Sequence, residues 1–209
     1  MKKLFALLVV LTLFCSTALA DEILFRDIPW YSNLADTLTQ MPEYSDINAL
    51  DWETRVTIIG EEREFDKPNN GIAPMLSFEN TPFKVGGYNV GNITLNFVYS
   101  VDNGQVLRSE DDWKLIGATY HFSNIDQKTA SEDLIEKLSS LYGEPVRTSV
   151  DTISYITWYG DSNSLVSLNI GDQWLSLSYG ISNTELMNEL DEVLITEQSE
   201  AAKGNTDGL

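Results

Sequence analysis

Hydrophobic and polar positions change period several times along this chain, and each change marks an element. The clearest helical period runs through Leu134, Ile135, Leu138, Leu141 and Tyr142, a single apolar stripe. Thr129 and Glu132 ahead of it have capping-box spacing, and Gly143 with Pro145 supplies the stop. The period then drops to two. Ile156 and Trp158 share a face; Val166, Leu168 and Ile170 alternate with Ser167 and Asn169; Leu175, Leu177 and Tyr179 alternate with Ser176 and Ser178. That pattern predicts a three-stranded meander with one buried face and one more polar face, turning at Gly160-Asp161 and Gly171-Asp172. Leu186, Leu190 and Leu194 return to helical spacing and predict a last helix over 185–196, capped by Ser182 or Asn183. Residues 197–209 carry no apolar pattern and read as a disordered tail.

The preceding part is less regular. Pro29 holds Ile28 extended. Ser32 is placed to cap a short helix carrying Leu34, Leu38 and Met41, which Pro42 ends. Ser45 starts a second short helical piece through Leu50. Strand character follows over 55–59, 75–78, 83–85, 93–101 and 113–122. A charged loop with Asn70-Gly71 fills 61–74, and Gly86, Gly87 and Gly91 interrupt the strands around Tyr88 in the manner of a bulge. Asp102-Asn103-Gly104 is a hairpin signal, with the return strand starting at Gln105. The whole reads as an α+β protein, an antiparallel sheet or sheets with helices packed on one face. Two weakly similar helix-then-strands halves divide it, 21–125 and 126–196.

Residues 1–20 stand apart. Lys2 and Lys3 precede an apolar run to Phe14, and Ala18-Leu19-Ala20 forms a small-x-small cleavage site, the layout of a secretory signal. Cys15, with Phe14 before it, reads as apolar filler of that signal and not as a lipid anchor. Cleavage after Ala20 leaves a secreted or otherwise extracytoplasmic chain with no cysteine. Removal of Lys2 and Lys3 takes the formal net charge from −19 to −21. No later stretch is long and apolar enough to span a bilayer.

Charge and composition narrow the chemistry further. Thirty-two Asp and Glu face thirteen Lys and Arg, so nucleic acid and anionic lipid are excluded as partners. One Cys and one His cannot build a Cys-rich or multi-His metal centre, and no cofactor motif is present. The sequence contains no Gly-x-Ser-x-Gly elbow and no Ser-x-x-Lys pair. His121, between Tyr120 and Phe122, reads as an ordinary strand-end histidine, the alternative being a general base. Two acidic groups remain, Glu61, Glu62, Glu64 and Asp66 in one loop and Glu110, Asp111 and Asp112 in another. They read as solvated loop charge, the alternatives being calcium ligation or glycoside hydrolysis.

Several signatures lie along the mature chain: Phe25-Arg26-x-Ile28-Pro29-Trp30, Gly87-Tyr88-x-Val90, Leu138-x-x-Leu141-Tyr142-Gly143-Glu144-Pro145, Trp158, and Trp174-x-x-Leu177-x-Tyr179. Together they resemble a set of uncharacterised exported proteins of Gram-positive bacteria, in which Gly often follows the first tryptophan where this chain has Tyr31. The helix-then-sheet repeat is also similar in topology to the β-lactamase-inhibitor-protein and BamE-like folds. That likeness implies a binding or scaffold role and transfers no functional residue.

Aromatic residues supply the candidate site. Tyr155 and Tyr159 fall on the face opposite Ile156 and Trp158, and Trp174 falls opposite Leu175 and Leu177. An aromatic patch of this kind stacks on sugar rings or seats a partner protein, the alternative being that another layer covers the rings or that they are simple cross-strand pairs. Trp30, Trp52, Trp113 and Trp158 read as core or core-edge residues. The expected function is non-enzymatic binding of an envelope or extracellular protein or glycan through a sheet face. The alternatives are a carboxylate-dependent hydrolase of envelope polysaccharide and an inhibitor of an extracellular enzyme.

Overall fold

The computed structural model describes residues 21–41, 56–59, 75–79, 84–182 and 184–206. The expected signal with Cys15, the helical piece from Ser45, Trp52 and the acidic loop 61–74 lie outside the described residues.

Eleven strands are described: β1 (Val56–Ile59), β2 (Met75–Glu79), β3 (Lys84–Val85), β4 (Tyr88–Val98), β5 (Ser100–Asp102), β6 (Gln105–Leu107), β7 (Lys114–Phe122), β8 (Val146–Val150), β9 (Ile153–Tyr159), β10 (Ser164–Ile170) and β11 (Leu175–Ile181). The main antiparallel sheet runs β1-β2-β4-β7-β11-β10-β9-β8, with β3 paired to β4 off that path. Each half is therefore a four-stranded meander, and the two meanders join through their last strands, β7 against β11. The fold is α+β, with both halves in one sheet.

The register explains the core. Phe78, Ile93, Tyr120, Leu177, Leu168 and Ile156 stand opposite one another in a row across six strands, all buried. Period-two patterning forces this, because a one-residue slip of any strand would turn its apolar set to solvent. Bulges at Gly91 and near Asn96–Phe97 adjust β4 against β7. Gly86 and Gly87 form the β3–β4 turn, both at positive φ; a Cβ on Gly86 would lie 2.6 Å from Leu134 Cδ2.

Helix α1 (Leu34–Thr39) and helix α2 (Gln127–Tyr142) cover the apolar face; α1 contacts β7, and α2 contacts β9 and β10. Their caps lie near, but not on, the expected residues. Asn33 Oδ1, not Ser32, accepts from the Asp36 N–H at 2.8 Å. Asp126 Oδ1 accepts from the Thr129 N–H at 2.8 Å, so α2 starts earlier than a Thr129 cap would allow. A carboxylate on Asp126 caps better than the threonine hydroxyl, since a charge-assisted bond also faces the positive helix end. Gly143, at φ 84, ends α2 as expected. Its carbonyl accepts from Trp158 Nε1 at 3.0 Å, locking the helix end to β9.

Helix α3 (Thr184–Thr206) continues ten residues beyond the expected stop at Thr196. The disordered-tail expectation for 197–209 is corrected as far as Thr206. Leu190 is buried, and Leu186 and Leu194 pack beside it, as the stripe implies. Beyond them Glu197 meets Arg108 at 2.7 Å, and α3 lies along β5 and β6. The helix thus carries on through an ion pair and helix-forming residues with no apolar stripe to announce it. The Asn103-Gly104 hairpin forms, but as a separate two-stranded ribbon, β5–β6, because the chain leaves the main sheet at Tyr99.

The least expected packing belongs to residues 21–31. Ile23, Phe25, Ile28 and Trp30 are all buried. Arg26 and Asp27, both at positive φ, make a tight turn that returns Ile28 N–H to the Phe25 carbonyl at 2.9 Å. Phe25 then rests on Tyr120 of β7 and Tyr179 of β11, with ring centroids 5.2 and 5.9 Å away, directly over the junction of the two halves. Ile23 N–H donates to Ser164 Oγ at 2.8 Å in the second half, and Tyr31 N–H donates to the Leu115 carbonyl at 2.9 Å in the first. Tyr31 itself sits at φ 65, the left-handed conformation a glycine adopts freely.

Candidate binding face

The sheet face away from α1 and α2 carries the candidate site. Its side chains come from the polar positions of the same alternation. One row reads Ser77, Thr94, Thr119, Ser178, Ser167 and Thr157, a serine or threonine on each of six consecutive strands. The next row reads Glu79, Asn92, His121, Ser176, Asn169, Tyr155 and Thr148.

These groups bond to one another. Asn92 Nδ2 donates to Ser77 Oγ at 2.6 Å, and Thr94 Oγ1 lies 3.3 Å from both Asn92 Oδ1 and His121 Nε2. Thr119 Oγ1 donates to Ser178 Oγ at 3.1 Å. Asn169 Nδ2 donates to Ser178 Oγ at 2.9 Å and to Ser176 Oγ at 3.3 Å, while its Oδ1 accepts from Ser167 Oγ at 2.9 Å. Ser167 Oγ and Thr157 Oγ1 are 3.0 Å apart. Short hydroxyl and amide groups on neighbouring strands, about 4.8 Å apart, are within reach of such bonds. The result is a hydroxyl and amide band, uncharged beyond Glu79 at its β2 end, on a chain of net charge −19; Ser77, Ser167 and Ser176 within it are buried. Desolvation pushes the His121 pKa below the usual histidine value, so the ring is neutral at neutral pH and keeps the band uncharged.

The three aromatic residues border this band but form no single patch. Tyr159 is 60% exposed at the end of β9, and Trp174 is 44% exposed just ahead of β11. Tyr155 is half-buried between Thr148 and Asn169. Asn169 of β10 stands between Tyr155 and Ser176 of β11, the strand that Trp174 precedes, and among the described residues no ring contact joins any two of the three.

Trp174 is held by its turn. Gly171 N–H donates to the Trp174 carbonyl at 3.0 Å, and Gln127 Nε2, from the first turn of α2, donates to the carbonyls of both Gly171 and Trp174. A Cβ at position 171 would collide with the indole, so glycine is what lets the ring lie flat over the turn. The other expected core tryptophans among the described residues, Trp30, Trp113 and Trp158, are buried.

Of the acidic candidates, only Glu110, Asp111 and Asp112 lie among the described residues. Residues Glu110–Asp112 form a single 3₁₀ turn, and among the described residues no group of three or more His, Cys, Asp or Glu side chains is arranged to hold a metal ion. No helix among the described residues is long and apolar enough to cross a membrane.

No protein family, no curated protein and no solved structure matches this chain. The hydroxyl row was not foreseen as a unit. Its trace was present, since the polar positions of the alternating strands are the uncharged Ser, Thr and Asn on a chain rich in acids. Only the register shows that these positions stand side by side.

Proposed function

We propose that this is a non-enzymatic, extracytoplasmic binding protein that receives an envelope or extracellular protein or glycan on its outer sheet face. The observation that carries the reading is the uncharged hydroxyl and amide band, bordered by the exposed Tyr159 and Trp174 rings. On a chain with 32 acids, a face free of carboxylates across its central strands suits a neutral polar partner, with the rings supplying stacking area. The extracytoplasmic half of the reading rests on the signal-like residues 1–20 and on the likeness to exported Gram-positive proteins.

Trp174→Ala tests the binding half. Wild type and variant are immobilised and exposed to cell-envelope extract and to purified envelope polysaccharide. The expected outcome is loss of the captured component in the variant. An unchanged set in both arms removes this face from consideration. Intact mass of the exported protein tests location, with residues 21–209 expected and a lipid-modified Cys15 as the contrary result.

A second reading, inhibition of an extracellular enzyme, draws support from the duplicated helix-then-meander arrangement sharing one sheet. Its partner would dock on the same face, so Trp174→Ala would weaken that inhibition too.

A further inference from the structure

The sheet ends in an open strand. All five residues of β8, Val146-Arg147-Thr148-Ser149-Val150, are exposed, with Val146 at 51% and Val150 at 60%. Within it are no proline and no bulge, two of the devices that blunt a sheet edge; its one charged residue is Arg147. We propose that β8 pairs antiparallel with β8 of a second copy of this chain, making a two-fold dimer with a continuous sheet.

The backbone fixes the register. β8 and β9 are joined by the two-residue turn Asp151-Thr152, with Val150 opposite Ile153. In such a hairpin the residues flanking the turn exchange both backbone bonds, so Val146, Thr148 and Val150 direct their N–H and C=O groups toward β9. Arg147 and Ser149 therefore direct theirs to the open edge. A register centred on Thr148 sets Arg147 of each copy against Ser149 of the other and closes all four free N–H groups. A register centred on Arg147 would set Ser149 against Pro145, which has no N–H to give. One centred on Ser149 would require Asp151 to be extended, whereas it turns at φ 52.

The side chains agree with that register. On the outer face Val146 meets Val150 of the second copy, twice, and Thr148 meets itself, which covers the most exposed apolar groups of the edge. The strand brings a single charge, Arg147, from each copy. Each Arg147 faces a neutral Ser149, with Asp151 and Arg147 of the second copy each one diagonal step away. A self-complementary edge of this kind gives a closed two-fold pair with no further growth, because the interface uses the same strand twice.

The test uses the full chain carrying Cys15→Ser, so that introduced cysteines are the only thiols. Sedimentation over a concentration series should show a monomer passing to a dimer of twice the mass. Ser149→Pro removes an outward N–H without touching the bonds to β9, and should leave the circular dichroism spectrum unchanged while shifting the dimer midpoint at least tenfold. Thr148→Cys places two thiols opposite one another at the two-fold axis and should oxidise to a covalent dimer faster than Val146→Cys, whose partner is Val150. A strictly monomeric chain would overturn the proposal. So would a dimer that Ser149→Pro leaves intact, or equal crosslinking at the two positions. None of these outcomes depends on Trp174, so the dimer and the proposed binding face stand or fall separately.

Discussion

Replacing Phe25 by alanine probes the packing that holds the two halves together. Phe25 is fully buried and lies between Tyr120 of the first half and Tyr179 of the second. Truncating a core phenylalanine costs about 3–5 kcal/mol. The upper part of that range applies here, because two tilted or edge-on aromatic contacts are lost with the ring and each is worth about 0.5–1.5 kcal/mol. The cavity opens at the centre of the sheet, where strands paired on both sides cannot collapse into it. A loss of about 4 kcal/mol is a large share of the roughly 5–15 kcal/mol of a typical domain. Urea unfolding followed by far-ultraviolet circular dichroism and by tryptophan fluorescence reads it directly. The midpoint should fall in both signals together, and Phe25→Leu should recover most of the loss. Leu141→Ala, at a 70% exposed site, should stay within about 0.5 kcal/mol of wild type. A Phe25→Ala loss under about 1 kcal/mol would refute the idea that this segment belongs to the cooperative core.

Two further outcomes follow from the same structure. Ser164→Ala removes the acceptor of the Ile23 N–H and the donor to the Asp161 carbonyl in a buried position, and should cost about 1–3 kcal/mol by equilibrium unfolding. His121 has a folded pKa below its unfolded value of 6.5, so the folded state favours the neutral ring. Its contribution is therefore full above pH 6.5 and is lost as pH falls through the window down to the folded pKa; a His121→Gln variant should flatten that slope in unfolding midpoints measured on either side of pH 6.5.

Legibility in the sequence followed the strength of local patterning. Helix α2 and strands β9, β10 and β11 were readable because Leu134, Leu138, Val166, Leu168, Leu175 and Leu177 repeat at the period of their element. Strand β8 gave no such signal, since all of its residues are exposed and nothing in its alternation marks a buried face. The end of α3 was missed for a related reason: an ion pair between residues 108 and 197 has no local signature. The polar face was legible position by position, while its assembly depended on register between strands as distant as β2 and β9. For Tyr155, Tyr159 and Trp174, the intervening Asn169 could not be read without the pairing.

The first described residues carry a kinetic consequence. The bond from Ile23 to Ser164 spans 141 positions of sequence, and Phe25 needs both β7 and β11 before it has anything to rest on. A core of such high contact order closes slowly, because the chain must surrender its loop entropy before those contacts repay it. The segment from Ile23 to Trp30 therefore cannot complete its packing until strands of both halves are present. The residues from Ile23 to Trp30 wait for nearly the latest strands, and until β10 and β11 are in place Ile23, Phe25 and Trp30 remain an exposed apolar segment that a chaperone would find still unfolded.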